Sequence, residues 1–376
     1  MEHFDVIVVG SGGIGSAAAA HLARRGARVL AVDRFPLAHA RGSSHGHTRL
    51  IRLAYFEHPD YVPLLRRAYA LWRDLEAAVG ETLLVESGLV IAGPPGSKVL
   101  AGIDRSAAEH GLAVERLGAE AVAARWPALA IAHDWSARYE ACGGFLFVER
   151  CVAAHAAVAI RSGASFRHGI TVHGWEATSH GVTLATDCGT FAADRLVLAP
   201  GPWAAGLLRL PHLRLQVLRK SLFWYEPPAA DCPLFAAGSL PCFACDTPDG
   251  FFYGFPQLDQ RGVKLAEHTG GPEVSDPLMV DRGIDAAEQA RIEAFTATHL
   301  PRLGTSRAAH AACLYTMTDD HHFIVGLHPD SDRVAVAAGF SGHGFKFASV
   351  LGEILADLAS GGTPQPIGFL SPCRFG

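Results

Sequence analysis

The chain has 376 residues, 49% of them apolar and 18% charged, a globular composition that excludes a disordered or low-complexity protein. A formal charge of -5 without a basic stripe argues against a nucleic-acid partner. No apolar run reaches the ~20 residues that a membrane-spanning helix needs, the Ala17 to Ala20 stretch being followed at once by His21, Arg24 and Arg25.

The first strand pattern, Phe4-Asp5-Val6-Ile7-Val8-Val9, starts so soon after Met1 that no signal peptide is expected, and the chain is read as cytoplasmic. Gly10-Ser11-Gly12-Gly13-Ile14-Gly15 follows, then an Ala-rich amphipathic segment to Arg25, Gly26 as its cap, and a second strand Val29-Leu30-Ala31-Val32-Asp33. This is a complete βαβ unit in ~30 residues. Gly10 serves the tight turn, Gly12 lets backbone approach a pyrophosphate, and Gly15 permits close helix–strand packing. Gly13 and Ile14 open the helix whose N-terminus favours phosphate charge. Asp33, 18 residues after Gly15, is placed to accept hydrogen bonds from a ribose, and Arg34 beside it leaves room for a 2′-phosphate. On this motif alone FAD, NAD and NADP all stay open.

Residues 41 to 48 form a Gly/Ser/His-rich loop, after which Arg49 and Arg52 are expected on one helical turn, repelling each other unless an anion lies nearby. From Tyr61, the stripe Val62, Leu65, Tyr69, Trp72, Leu75 predicts a core-facing helix. Strands are expected near Leu83 to Ala92, Gly144 to Phe147 and Arg195 to Ala199, with a helix from Val152 to Arg161. Leu215 to Leu265 reads as a mainly antiparallel sheet broken by Pro, Gly and Asp turns. Within it, Cys242-Phe243-Ala244-Cys245 lacks a second Cys or His pair at zinc spacing, so a core pair is expected and no metal site. All eight cysteines are read as free thiols. Arg333 to Ala338 gives a strand, Gly339 to Gly344 a glycine-rich loop, and Phe345 to Leu358 a helix. The expected fold is α/β with two domains. A Rossmann-type domain is assembled from 1–86, 147–214 and 318–376, and a mainly antiparallel substrate domain from 87–146 and 215–317 is inserted in it.

The loop Gly42-Ser43-Ser44-His45-Gly46-His47-Thr48-Arg49-Leu50-Ile51-Arg52 and the segment Gly339-Phe340-Ser341-Gly342-His343-Gly344-Phe345-Lys346-Phe347 resemble the monomeric sarcosine oxidase and N-methyl-L-tryptophan oxidase family. Further matches are Arg125-Trp126-Pro127, Tyr253-Gly254-Phe255-Pro256, Lys264 with His268, and Cys313-Leu314-Tyr315-Thr316. Trp224-Tyr225, His268-Thr269-Gly270-Gly271 and the run Phe345 to Glu353 lean toward the N-methyltryptophan branch. The resemblance implies FAD, bound covalently as an 8α thioether through Cys313, and a small secondary amine bearing a carboxylate as substrate. Oxygen is the acceptor, the amine is demethylated to formaldehyde and an amino acid, and hydrogen peroxide is released. It implies that Arg52 and Lys346 hold the carboxylate and that Lys264 assists oxygen reduction. His45 and Arg49 lie near the flavin, while Tyr253, His268 and Tyr315 line the substrate cavity. Ser43, Ser44, Thr48, Val172, Gly201, Trp203, Phe340, Gly342, Gly344 and Phe345 join the Gly-rich turn in holding the cofactor. A monomer is the default.

Departures are His47 in place of the usual Asp, Ser44 in place of a common His, and the stiffer Pro200-Gly201-Pro202-Trp203. The rival readings are an oxidase or dehydrogenase of a cyclic secondary amino acid such as L-pipecolate or proline, and a non-catalytic FAD-binding protein.

Overall fold

The structure, a computed structural model, describes residues 2–375 apart from 363, 364 and 366. Two large sheets carry the architecture. In the first, His3–Val9 lies centrally, parallel to Val29–Asp33 on one side and to Gly189–Leu198 on the other. Ser331–Ala338 also pairs in parallel with Gly189–Leu198, and Val172–Thr178 and Gly181–Thr186 extend the sheet as antiparallel strands. Parallel strands are buried on both faces and therefore read as unbroken apolar runs. Ile7, Val8, Leu30, Val32 and Val336 are all fully buried. Helices Gly13–Arg24, Val148–Arg161 and Ala348–Ala359 pack together beside this sheet.

The second sheet runs in the order Arg307–Met317, Gln216–Tyr225, Val263–Glu267, Gly250–Phe255, Cys242–Thr247, Leu89–Gly93, Ser136–Glu140, Glu115–Gly118. It is antiparallel except where Cys242–Thr247 pairs in parallel with Leu89–Gly93. Cys242 and Cys245 are both fully buried but three residues apart on one strand, so they point to opposite faces and enter different core clusters. Ser165–His168 and Ile324–His328 are the remaining strands of the first sheet, and Thr48–Ile51, Gly144–Phe147 and Leu84–Val85 form a small third sheet.

The helix from Tyr61 spans Tyr61–Val79 and buries Val62, Leu65, Trp72 and Leu75 as the stripe predicts. Three local readings need correction. Arg49 belongs to strand Thr48–Ile51 and Arg52 follows it, so the two do not share a helical turn. Pairing with Gly144–Phe147 decides that segment, a long-range contact invisible to local periodicity. The helix expected from Val152 begins at Val148, and Phe345–Phe347 is a 3-10 turn leading into Ala348–Ala359.

Candidate active site

A cavity of about 470 Å³ runs from the Gly-rich turn to the second sheet. Gly10, Gly12, Gly13 and Ile14 line it together with Asp33, Arg34, Ser43, Ser44, Arg49, Val172, Gly201, Trp203, Phe340, Gly342, Gly344 and Phe345. At two of its glycines the turn leaves no room for a side chain. A Cβ on Gly15 would lie 1.8 Å from the Gly10 carbonyl oxygen, and one on Gly13 would meet the Phe345 ring at 2.8 Å. Asp33 accepts the Ser11 amide at 2.7 Å and hydroxyl at 3.1 Å, which braces the turn against the end of the second strand. Trp203 Nε1 is buried with no partner, a donor that a ligand with acceptor atoms would satisfy. A long cavity, a helix N-terminus whose cap residue is Gly12, with Ser44 Oγ accepting the Gly13 amide at 3.1 Å, and an orphaned donor together fit a dinucleotide such as FAD.

At the other end, strand alternation in the second sheet presents one chemical face. The registers Leu222 with Ala266 and Ala311, Lys220 with Cys313, and Tyr253 with Ala266 put Lys220, Tyr253, Lys264, Cys313 and Tyr315 on that face. Arg49 crosses from the small sheet, and its Nη2 donates to Cys313 Sγ at 3.1 Å and to the Ser43 carbonyl at 3.0 Å. Burial pushes the Cys313 thiol up, but the Arg49 guanidinium and neighbouring His45 more than reverse this, bringing it down to about 6. Cys313 therefore ionises far more readily than buried Cys242 and Cys245, which have no guanidinium on the sulfur and are pushed up to about 12. His45 is buried with Nε2 unpartnered. In the same loop His47 holds a φ of 72°, in the left-handed region, and its amide and that of Gly46 donate to Glu149. Histidine is among the residue types that tolerate this region, so the departure at His47 is compatible with the loop's turn.

Lys264 is buried and donates to the Gly46 and Thr48 carbonyls, each at 2.7 Å. Burial holds its amino group well below the usual lysine range, and Arg49 adds to this. It lines neither cavity, nor do Thr48, Cys313, His45 and Gly15; Cys313 adjoins both through Arg49.

A smaller cavity of about 50 Å³ shares Arg49, Tyr315, Gly342 and Phe345 with the first. Arg52, Tyr253, His268 and Lys346 line it, as do Phe56, Glu57 and Phe251. Arg52 Nη2 donates to both Glu57 carboxylate oxygens, at 2.8 and 2.6 Å, while its Nε is buried without a partner. The guanidinium stacks on the Tyr55 and Phe56 rings at 4.4 and 4.5 Å. Lys346 Nζ donates to the His343 carbonyl at 2.7 Å, and burial together with Arg52 holds its amino group well below the usual range. His268 Nδ1 lies 3.4 Å from the Tyr315 hydroxyl, and burial, then Lys220, pushes the imidazole down to about 3, so it is neutral.

Sequence reasoning thus named most of the residues that converge here and missed Glu57, Tyr55, His343 and Lys220. Glu57 was within reach: an acid five residues after a buried Arg is a plain candidate partner. Lys220 carries no local signal, since its burial comes from strands that pair across some 90 residues.

The model of the family described as FAD dependent oxidoreductase matches residues 5–358, and this chain belongs to that family. Among its relatives, the monomeric sarcosine oxidase of Streptomyces avermitilis is 40% identical, with 99% of this chain and 97% of that protein covered. The N-methyl-L-tryptophan oxidase of Citrobacter koseri is 36% identical over 96% of each. Overall identity therefore leans slightly toward the sarcosine branch, whereas the short motifs lean the other way. In solved structures, NikD, an unusual amino acid oxidase essential for nikkomycin biosynthesis, superposes with a TM-score of 0.86 at 26% identity, covering 99% of this chain and 98% of that one.

Proposed function

We propose that this chain oxidises N-methyl amino acids of the sarcosine or N-methyltryptophan type, giving formaldehyde, the demethylated amino acid and hydrogen peroxide. The segments 1–86, 147–214 and 318–376 serve as the FAD-binding unit, with 87–146 and 215–317 as the substrate unit. The observation that carries this reading is the junction of the two cavities, where a basic pair, Arg52 and Lys346, borders the same four residues that close the cofactor end. FAD, when bound, accepts the hydride equivalent from the carbon next to nitrogen and passes two electrons to oxygen.

The protein's own groups bind, orient and exclude. A substrate carboxylate takes the free Nε edge of Arg52 and the Lys346 amino group, and its negative charge restores the proton affinity that burial removed from Lys346. Arg49 and Arg52 line the small cavity beside Lys346, so a substrate ammonium is disfavoured there and the amine is held neutral, with its lone pair available. Neutral His268 and the Tyr315 hydroxyl supply hydrogen-bonding groups beside it. Cys313, a readily ionised thiol beside Arg49, is the residue that carries FAD as a thioether. Lys264 stands behind the loop Gly46–Thr48 to assist oxygen reduction. Water hydrolyses the released imine. The cavity's small volume, with the Phe56 and Phe251 rings 5.6 Å apart, favours a substrate the size of sarcosine, which has no side chain.

The test is stoichiometric release of formaldehyde and hydrogen peroxide from sarcosine, N-methyl-L-tryptophan and L-pipecolate, with Arg52→Met and Lys346→Met beside the wild type. Formaldehyde and peroxide in equal amounts, lost in both variants, support the reading. Peroxide without formaldehyde from L-pipecolate alone replaces it with cyclic amine oxidation, and absence of both products refutes it.

A further inference from the structure

Lys220 sits directly opposite Cys313 in the antiparallel pair of Gln216–Tyr225 with Arg307–Met317, so its side chain emerges on the cavity face beside Cys313 and Tyr315. It is only 3% exposed. Burying an ammonium is costly unless an anion accompanies it. Yet the neighbouring carboxylates are engaged elsewhere, Glu267 by Arg291 and Glu288 by Arg219 and Ser221. Lys220 instead donates to the Thr269 carbonyl at 2.7 Å and to the Gly270 carbonyl, and its Nζ lies 5.2 Å from the centre of the Tyr315 ring. Thr269 and Gly270 immediately follow His268. The turn is wrapped tightly onto this lysine: a Cβ on Gly271 would lie 2.5 Å from the Arg219 carbonyl oxygen and 3.3 Å from Lys220 Nζ. The Arg219 amide closes the wrap by donating to the Pro272 carbonyl at 2.9 Å.

We propose that Lys220 is a positioning residue for amine oxidation, clamping the turn behind His268 and propping the Tyr315 ring so that one buried ammonium sets the wall against which the substrate lies. The proposal rests on the N-methyl amino acid reading of the small cavity. It explains the site of the charge. A hydrophobic residue here would pack as well but would leave the Thr269 and Gly270 carbonyls without a donor, and a displacement of about 1 Å in a reacting wall costs on the order of 100-fold in rate. The charge also acts on His268, which faces Tyr315, Lys220, His343, Glu57 and Lys346, by disfavouring its protonated form.

The experiment compares Lys220→Met, Lys220→Gln and Lys220→Arg holoenzymes with wild type in anaerobic flavin reduction, with every rate expressed per bound flavin. A role confined to folding lowers yield and melting temperature but leaves the rate per flavin and KM unchanged. The proposal expects reduction at saturating substrate to fall about tenfold or more in Met and Gln, with a raised KM, and to recover within a few fold in Arg. Wild-type rates per flavin in Met, or in Gln if Met does not fold, overturn it. If no N-methyl amino acid reduces even the wild type, the functional reading has failed instead. The clamp is then read from propionate binding, followed by the flavin spectrum: weaker binding in Met and Gln than in Arg supports it, and equal binding overturns it.

Discussion

Substituting Glu57→Gln isolates the competition for Arg52. In the present arrangement Arg52 Nη2 is held by both oxygens of Glu57, at 2.8 and 2.6 Å, and Glu57 is itself largely enclosed. A substrate carboxylate must displace or share that pair, so part of its binding free energy is spent against Glu57. A hydrogen bond to a charged group is worth about 1.5–3 kcal/mol net. Glutamine removes the negative charge while keeping the side chain's size, leaving Arg52 and Lys346 uncompensated until substrate arrives. At about 1.4 kcal/mol per decade, the dissociation constant for a carboxylate ligand should fall by roughly 10-fold to 100-fold. Anaerobic titration followed through the flavin absorption measures it directly, and reduction at saturation should change far less than affinity does. An unchanged or weakened affinity in a folded, flavin-loaded variant would refute the assignment of Arg52 as the carboxylate anchor.

Other outcomes follow from the same geometry. Replacing Cys313→Ser should leave FAD extractable by acid, whereas the wild-type pellet stays yellow after precipitation; colour lost from both would remove the thioether. Exchanging Lys264→Met should slow reoxidation of the reduced flavin by oxygen about 100-fold while anaerobic reduction changes little, as stopped-flow absorbance can separate. Gly342→Ala should abolish flavin retention, because the new Cβ would lie 2.2 Å from the Tyr315 ring at a φ of 80°; normal FAD content would contradict this. His155 is buried against Trp72 with Nδ1 unpartnered, and burial pushes it down to about 3. The unfolded chain therefore takes up this proton first. Stability is complete above pH 6.5 and falls as pH drops toward 3, by about 2 kcal/mol at pH 5. His155→Leu should reduce, without abolishing, the fall in melting temperature between pH 7 and 5, since burial depresses His21 and His268 in the same direction; an unchanged slope would contradict this.

The βαβ start was legible because three signals coincide within one short stretch: an apolar run, glycines at fixed offsets, and Asp33 ending the second strand. Trp72 and Leu75 were legible for a similar reason, since helical spacing is local. Arg49 was misplaced onto a helical turn because only its pairing with the distant Gly144–Phe147 strand makes that segment extended. Cys313 illustrates the same limit at the site. Nothing in Ala312-Cys313-Leu314 distinguishes it from Cys245, and the difference between a readily ionised and an inert thiol comes from Arg49, which approaches from another sheet. Lys220 and Glu57 escaped because burial of a charged side chain is a tertiary property.

The measurement that bears most directly on the central claim is anaerobic mixing of the purified yellow protein with sarcosine, N-methyl-L-tryptophan and L-pipecolate in turn, watching the flavin band. Bleaching by an N-methyl amino acid, restored by admitting air and absent in Arg52→Met, is the result expected of a carboxylate-anchored amine oxidase. A colourless protein, or a yellow one that none of the three amines bleaches, would contradict that assignment.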